Sequence, residues 1–192
     1  MKKILIGTHN DGKFKEISYL ISKKIKKFSP KKFKIKSPTE SGKTFSANSK
    51  LKAYYFSKYT DLPVISDDSG LCISALGGRP GIYSARLAKK YGNFLKAMKF
   101  ILKKMKKKKN RSAIFVCSLT FKYPKGKAVT VTGKLRGTIS YKIIGNKGFG
   151  YDPIFIPHSK KITFGQMPKI KKINMDHRCI AFKKIKKKIK IL

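Results

Sequence analysis

The chain has 192 residues, of which 41% are hydrophobic, and this predicts a single domain covering residues 1–192, or two lobes that share one core. The first apolar run, residues 4–6, is too short for an export signal or a membrane span. The three cysteines, Cys72, Cys117 and Cys179, are scattered and form no Cys-x-x-Cys pair. These features argue against a membrane protein, a disulfide framework and a zinc site, and we expect a cytoplasmic protein.

The net charge is extreme. Lysine and arginine total 48 against eight acidic residues, formally +40, so nucleic acid is the first partner to consider. Arginine, which supplies most base contacts and bidentate phosphate clamps, occurs at only five positions, and the lysines are spread along the whole chain. We interpret the charge as compositional bias that attracts nucleic acid only non-specifically. A basic nucleic-acid-binding protein is the alternative, and it predicts salt-sensitive binding without turnover.

The first sixty residues predict a strand followed by two helices. Residues 2–7 are apolar and end at a glycine, which is typical of a buried strand. From residue 13 to residue 25, apolar side chains recur at helical spacing. Residues 31–41 are polar and predict a loop or a short strand. Thr44 is a candidate N-cap for a helix that reaches about Tyr59.

The rest of the chain mixes strands and helices. A short strand at residues 63–66 is expected to deliver Asp67 and Asp68 at its C-terminal end. The further expected elements are, in chain order, a loop at 77–81, a helix at 93–105, an antiparallel hairpin of 112–121 with 128–135, a strand at 138–143, a loop at 145–150, a strand at 153–156 and a helix from about His177. This succession predicts an α/β fold with a mixed central β-sheet and flanking helices.

Asp67 and Asp68 are the strongest candidates for chemistry, because acids are so scarce in this chain. Carboxylates at a strand end of an α/β sheet lie where ligands bind. One carboxylate can hold Mg²⁺ while another accepts a proton from water, and two like charges so close push their pKa values apart. Mg²⁺ is commonly bound by one or two carboxylates together with substrate phosphates. An Asx-turn that caps the strand is the plainer alternative.

Three further segments carry candidate binding residues. The loop Thr8-His9-Asn10-Asp11-Gly12-Lys13 offers backbone N–H groups, a helix N-terminus and a cation to a phosphate, although it lacks the P-loop spacing. The glycines of Gly148-Phe149-Gly150-Tyr151-Asp152-Pro153 suit a loop that encloses a flat base. Lys172, His177 and Arg178 can bind a carbonyl or phosphate. Each segment also has a plainer interpretation when it is taken alone: the first as an ordinary βα turn, the second as a β-bulge with core aromatics, and the third as a solvated helix end.

Taken together and in order, the motifs resemble the inosine triphosphate pyrophosphatase family, which hydrolyses non-standard purine nucleoside triphosphates. The resemblance spans nearly the whole chain. It rests on Thr8-His9-Asn10-Asp11-Gly12-Lys13-Phe14-Lys15-Glu16, Glu40-Ser41-Gly42-Lys43-Thr44-Phe45, Ser66-Asp67-Asp68-Ser69-Gly70-Leu71, Leu76-Gly77-Gly78-Arg79-Pro80-Gly81-Ile82-Tyr83-Ser84-Ala85-Arg86, Gly148-Phe149-Gly150-Tyr151-Asp152-Pro153, and Lys172 with His177-Arg178.

The resemblance implies two lobes around a nucleotide-binding cleft, a homodimer, and Mg²⁺-dependent hydrolysis of ITP, dITP, XTP and dXTP to the monophosphate and pyrophosphate. Asp68 would be the general base or metal-bound acid, Asp67 its support, and Glu40 a second metal-side acid. Selection would rest on donors that are satisfied by a 6-oxo group and not by adenine. The implied substrate-binding residues are Thr8, His9, Asn10, Asp11, Gly12 and Lys13 for the triphosphate, Phe149, Gly150, Tyr151 and Asp152 around the purine, and Ser69, Lys172, His177 and Arg178.

The chain departs from the family pattern at Ala47, which replaces the acid of the usual Thr-Phe-x-Glu-Asn-Ala stretch; Gln166 and Asp176 are further departures. If the missing acid helps to hold the metal, turnover would be reduced. A catalytically weakened nucleotide-binding homologue is therefore one alternative. A related Maf-like pyrophosphatase, which would prefer a modified pyrimidine, is another.

Overall fold

A computed structural model describes residues 2–189 and has a mixed α/β fold. The strands are β1 (Lys3–Ile6), β2 (Lys26–Phe28), β3 (Val64–Ile73), β4 (Ser112–Lys122), β5 (Ala128–Ile139) and β6 (Phe155–Pro157), and the helices are α1 (Asp11–Leu20), α2 (Phe45–Ser57), α3 (Ser84–Lys90), α4 (Phe94–Met105), α5 (Lys169–Ile173) and α6 (His177–Lys186). The strands form one sheet in the order β2-β1-β3-β4-β5-β6. The predicted fold class is confirmed.

The chain divides into two compact units. The first contains residues 2–68, 117–133 and 178–189 of the described chain, and the second contains residues 69–116 and 134–177. Strands β3, β4 and β5 each contribute residues to both units. The single domain expected over residues 1–192 stays a prediction.

The first unit is built on β1, whose residues Ile4, Leu5 and Ile6 are fully buried. This strand pairs in parallel with both β2 and β3. Helix α1 begins at Asp11, two residues before the predicted start, because the Asn10 side chain caps it by accepting from the Lys13 N–H at 3.0 Å. It also ends at Leu20, so the predicted helix to residue 25 was too long.

Strand β3 corrects the prediction for residues 63–66. It runs for ten residues, so Asp67 and Asp68 lie in its middle and not at its C-terminal end. Strand β1, however, is paired with β3 only as far as Ile65, so both aspartates lie just beyond the last position paired with that neighbour. Serine, aspartate and glycine disfavour strands in isolation, but pairing and burial override such preferences, and the sequence pattern therefore ended the strand too early.

The predicted hairpin of β4 and β5 is confirmed. Side-chain hydrogen bonds join Ser118 to Thr132 at 2.8 Å and Thr120 to Thr130 at 2.9 Å, the regular register of antiparallel neighbours. Strand β5 continues to Ile139, four residues beyond the predicted end. The separate strand expected at residues 138–143 is absent from the described structure, because its first two residues complete β5 and the chain then leaves the sheet.

The second unit has its own apolar core, in which α4 packs through Ala97, Met98 and Ile101. Asn93 caps this helix, as its side chain accepts from the Lys96 N–H at 2.9 Å, and the predicted helix is confirmed. The strand expected at 153–156 is found two residues later, as β6, antiparallel to β5.

Three elements were not predicted. Helices α3 and α5 are short, at seven and five residues, and give little periodic signal. Strand β2 lies in a lysine-rich segment between the predicted helix and the predicted loop. It stands at one end of the strand order, where lysines discourage pairing with another chain. Within residues 2–189, no helix is both long and apolar enough to cross a membrane.

Candidate active site

Asp67 and Asp68 have different surroundings because neighbouring residues of a strand point to opposite faces of the sheet. Asp67 shares its face with Ile65, on the side of α1 and α6. Asp68 points to the side of α2, where Val64 is packed. The pair therefore cannot act as two equivalent carboxylates.

Asp67 is fully buried among cations. Its Oδ2 lies 3.1 Å from Lys13 Nζ and 3.6 Å from Arg178 Nε. Burial alone would raise the pKa of this carboxyl, but the charges of Lys13, Arg178 and Lys52 outweigh burial and lower its pKa to about 2. Asp67 therefore carries a permanent negative charge that fixes the two basic side chains.

Asp68 is also buried, but its pKa is raised, whereas that of Asp67 is lowered. Burial raises its pKa, the nearby charge of Glu40 raises it further, and Lys13, Lys52 and the Asn48 amide only partly oppose this. Asn48 Nδ2 donates to Asp68 Oδ2 at 3.0 Å. The pKa values of the two aspartates thus differ as expected, and burial together with unequal charged neighbours is the main cause. Of the two, Asp68 is the better proton acceptor.

Arg178 belongs to this cluster through α6. Its Nη1 donates to Glu16 Oε2 at 2.9 Å, and both side chains are buried. Glu16 lies on α1, three residues after Lys13, which places both on one face of the helix. Arg178 is therefore held between Glu16 and Asp67, and it positions Asp67 as well as supplying charge.

The loop before α1 is only partly available to a ligand. Thr8 Oγ1 accepts from the Asn10 N–H at 3.2 Å, and Asn10 caps the helix. The His9 ring contacts the Ile35 carbonyl at 2.9 Å and Ser37 Oγ at 2.6 Å. Asp11 is exposed and pairs with Lys31 at 2.7 Å. Gly12 is the second residue of α1, after Asp11. These contacts fix the turn, and Lys13 is the charged residue of this segment that lies next to Asp67.

The second unit contains a separate buried cluster around Lys172. Its Nζ donates to Asp152 Oδ2 at 2.7 Å and lies 4.7 Å from the centre of the Phe149 ring. The same carboxylate oxygen accepts from the Phe149 N–H at 2.8 Å. Gly148 has a φ of +76°, and a Cβ there would lie 2.2 Å from Asp152 Oδ2, so the loop requires glycine. Three predicted residues are thus brought together.

Other predicted residues of this unit have more structural surroundings. Tyr151 is buried in the core and its hydroxyl donates to the Ser84 carbonyl at 2.8 Å, while burial raises its pKa. This arrangement anchors the loop next to Gly150. His177 is buried and its ring stacks on Phe115, with centroids 4.7 Å apart and planes 12° apart. Ser69 is half-buried in β3, directly after Asp68.

Comparison with known proteins identifies the family. The family model described as the Ham1 family matches residues 4–188. A protein of Caulobacter vibrioides named dITP/XTP pyrophosphatase is 39% identical, over 96% of each chain. The chain belongs to the Ham1 family. A Dictyoglomus thermophilum protein with the same name is 40% identical, over 95% of this chain and 92% of its own. The resemblance inferred from the motifs is confirmed.

Solved Ham1 structures have the same fold. A HAM1 protein from Coxiella burnetii superposes with a TM-score of 0.88 at 29% identity, covering all of both chains. The Ham1 protein of Staphylococcus aureus gives 0.87 at 31% identity, over 98% of each chain. The likeness therefore extends over the full set of elements described above.

Sequence reasoning missed Lys52 in this Ham1-family chain. Lys52 is a buried residue of α2 that donates to Glu40 Oε1. Burial opposes its charge, but Asp67, Glu40 and Asp68 outweigh this and raise its pKa, so Lys52 is cationic at neutral pH. One lysine among so many carries no signal in composition. Only its helical spacing to Phe56, which is also buried, could have marked it.

The donor set suits a hard divalent cation. Asp68 and Glu40 present carboxylate oxygens close enough for Glu40 to raise the pKa of Asp68. A cation between them would offset that repulsion. Within residues 2–189 no three His, Cys, Asp or Glu side chains gather into a metal site, so the protein alone does not supply a full cage. Mg²⁺ fits such an arrangement, because it typically takes one or two carboxylates and completes its shell with substrate phosphates and water.

Ala47 lies in the first turn of α2. It is the third residue of α2, exposed, and its N–H donates to Thr44 Oγ1 at 3.0 Å. A glutamate three residues after an N-cap threonine forms a capping box by reaching back to the N-cap backbone. Helix capping is therefore one role that the family's usual acid can fill at this position, and the effect of Ala47 on turnover stays a prediction.

Proposed function

We propose that this protein hydrolyses non-standard purine nucleoside triphosphates, namely ITP, dITP, XTP and dXTP, to the monophosphate and pyrophosphate. The observation that carries the proposal is the buried Asp68 carboxylate, hydrogen-bonded by Asn48 and flanked by Lys13 and Lys52. The substrate class follows from the relatives named dITP/XTP pyrophosphatase, which match nearly the whole chain.

In the proposed reaction, Asp68 accepts a proton from a water molecule whose oxygen attacks the α-phosphorus. The bond from that phosphorus to the bridging oxygen of the β-phosphate breaks, and pyrophosphate leaves. Lys13 and Lys52 stabilise the negative charge that accumulates on the phosphate oxygens. Asp67, itself positioned by Arg178, holds Lys13 in place. The first turn of α1 adds backbone N–H groups that favour phosphate.

Asp68 and Glu40 would hold Mg²⁺. When bound, the ion would neutralise charge on the triphosphate and orient its phosphates. A homodimer and a cytoplasmic location are further parts of the proposal, as is the absence of a specific nucleic-acid or membrane partner.

By the family resemblance, Phe149, Lys172 and His177 would recognise the base. Phe149 offers an aromatic face, and the cationic Lys172 lies against it, held by Asp152. Lys172 and His177 would donate to the 6-oxo group, which adenine lacks. A buried donor that faces the adenine amino group is left unpaired, and the loss discriminates against ATP.

Product analysis in ¹⁸O-labelled water tests the reaction. With ITP, Mg²⁺ and wild-type protein, we expect equimolar IMP and pyrophosphate, with the label in IMP because water attacks the α-phosphorus. Release of IDP and inorganic phosphate, or label in the pyrophosphate, would contradict the proposed chemistry. Binding of nucleic acid without any turnover of ITP would instead favour the basic nucleic-acid-binding alternative.

A further inference from the structure

Asn48 hydrogen-bonds both to Asp68 and to the segment that carries Glu40. It is the fourth residue of α2 and is fully buried. Its Nδ2 donates to Asp68 Oδ2 at 3.0 Å, and its Oδ1 accepts from the Gly42 N–H at 2.8 Å. A carboxylate can only accept and a backbone N–H can only donate, so the two partners fix both ends of the carboxamide.

The approach of Gly42 to Asn48 leaves no room for a side chain. A Cβ at Gly42 would lie 2.6 Å from Asn48 Oδ1 and 2.8 Å from the Cβ of Ala47. Gly42 is two residues after Glu40 in the chain. The segment that carries Glu40 is therefore fixed against α2 at this point, by the same amide that holds Asp68.

We propose that Asn48 is a positioning residue that sets the separation of the Asp68 and Glu40 carboxylates, and through it the affinity for a divalent cation. The inference rests on the proposed function, which gives these two acids their metal. Mg²⁺ requires nearly ideal octahedral geometry, so displacement of one carboxylate weakens its binding. Groups that orient metal ligands typically contribute about 10- to 100-fold to metal affinity or activity.

The test compares Asn48→Leu with wild type. Leucine has nearly the shape of asparagine but makes neither hydrogen bond and adds no charge. Mn²⁺ binding is measured without nucleotide by electron paramagnetic resonance of the free ion, and ITP hydrolysis is measured separately with Mg²⁺. We expect Asn48→Leu to lower both the Mn²⁺ affinity and kcat by about 10- to 100-fold.

Ser49→Ala is the matched control. Ser49 is the next residue of α2 and is also fully buried, and its hydroxyl hydrogen-bonds to Thr120 Oγ1 at 2.8 Å and to the Ser46 carbonyl at 3.0 Å. Its loss should lower the urea midpoint of unfolding slightly and leave Mn²⁺ affinity and kcat within about twofold of wild type. A purely structural role for Asn48 would make the two variants behave alike.

Three outcomes overturn the inference: Asn48→Leu binds Mn²⁺ within about twofold of wild type, Ser49→Ala loses as much affinity, or wild type binds no Mn²⁺. If Asn48→Leu does not fold, Gly42→Ala is tested in its place, because the Cβ of the new alanine must push residue 42 away from Asn48. Unchanged Mn²⁺ affinity in Gly42→Ala also overturns the inference. Wild type that binds Mn²⁺ but does not hydrolyse ITP contradicts the proposed function instead.

Discussion

Replacing Asp68 by asparagine is expected to lower kcat for ITP hydrolysis by about 10²- to 10⁴-fold, the range that a positioned general base contributes. Asparagine keeps the shape of the side chain but cannot accept a proton from water, and it removes a negative charge from the metal-side acids.

The ionised carboxylate of Asp68 is the form that accepts the proton. Because burial and Glu40 raise its pKa, wild-type activity should fall as the pH is lowered through that raised pKa.

Asp61→Asn provides the matched control, because it makes the same chemical change at an exposed aspartate between α2 and β3. Steady-state rates of pyrophosphate release are measured for both variants across pH, and only Asp68→Asn should show the loss of kcat. The assignment of Asp68 would be wrong if Asp68→Asn kept more than about one-tenth of the wild-type kcat.

Replacing Glu16 by alanine is expected to lower the free energy of unfolding by about 3 kcal/mol, because the change leaves the buried Arg178 without its 2.9 Å partner. Arg178 would keep its longer contact of 3.6 Å with Asp67. Urea unfolding measures the effect as a lower midpoint. We also expect slower turnover, because Arg178 helps to hold Asp67 in place.

Asp11→Ala is the control for this stability effect. It breaks an ion pair of similar length, 2.7 Å to Lys31, but both partners are exposed. Exposed ion pairs contribute little to stability, so its urea midpoint should match that of wild type. A Glu16→Ala variant that also unfolds at the wild-type urea concentration would show that the Glu16–Arg178 pair does not stabilise the fold.

Elements with long periodic or well-capped segments were predicted from the sequence. Helix α4, with its Asn93 cap, and the β4–β5 hairpin are examples. Strand β3 was cut short because its central residues are serine, aspartate and glycine, whose place in a strand depends on pairing with neighbours that a local pattern does not contain. The elements β2, α3 and α5 were not predicted, because they are too short to show a hydrophobic periodicity.

The candidate site was predicted as a set of motifs but not as a network. Asp68 and Lys13 were found because their neighbours in the chain mark them. Lys52 and Asn48 were missed, since what marks them is burial against acids that are distant in sequence. From the sequence, Asp67 was expected to support Asp68 and Arg178 to bind substrate, and both roles stay predictions. The structure adds an ion pair between the two side chains that the motifs did not indicate.

The most direct test of the central claim is the ratio of kcat/KM for ITP to that for ATP, from pyrophosphate release with Mg²⁺ and wild-type protein. XTP, dITP and GTP complete the panel. We predict a ratio of at least about 10² in favour of ITP, with XTP and dITP close to ITP, because the proposed site satisfies a 6-oxo group and leaves donors unpaired against adenine. Equal values for ITP and ATP, or preference for a modified pyrimidine nucleotide, would contradict it.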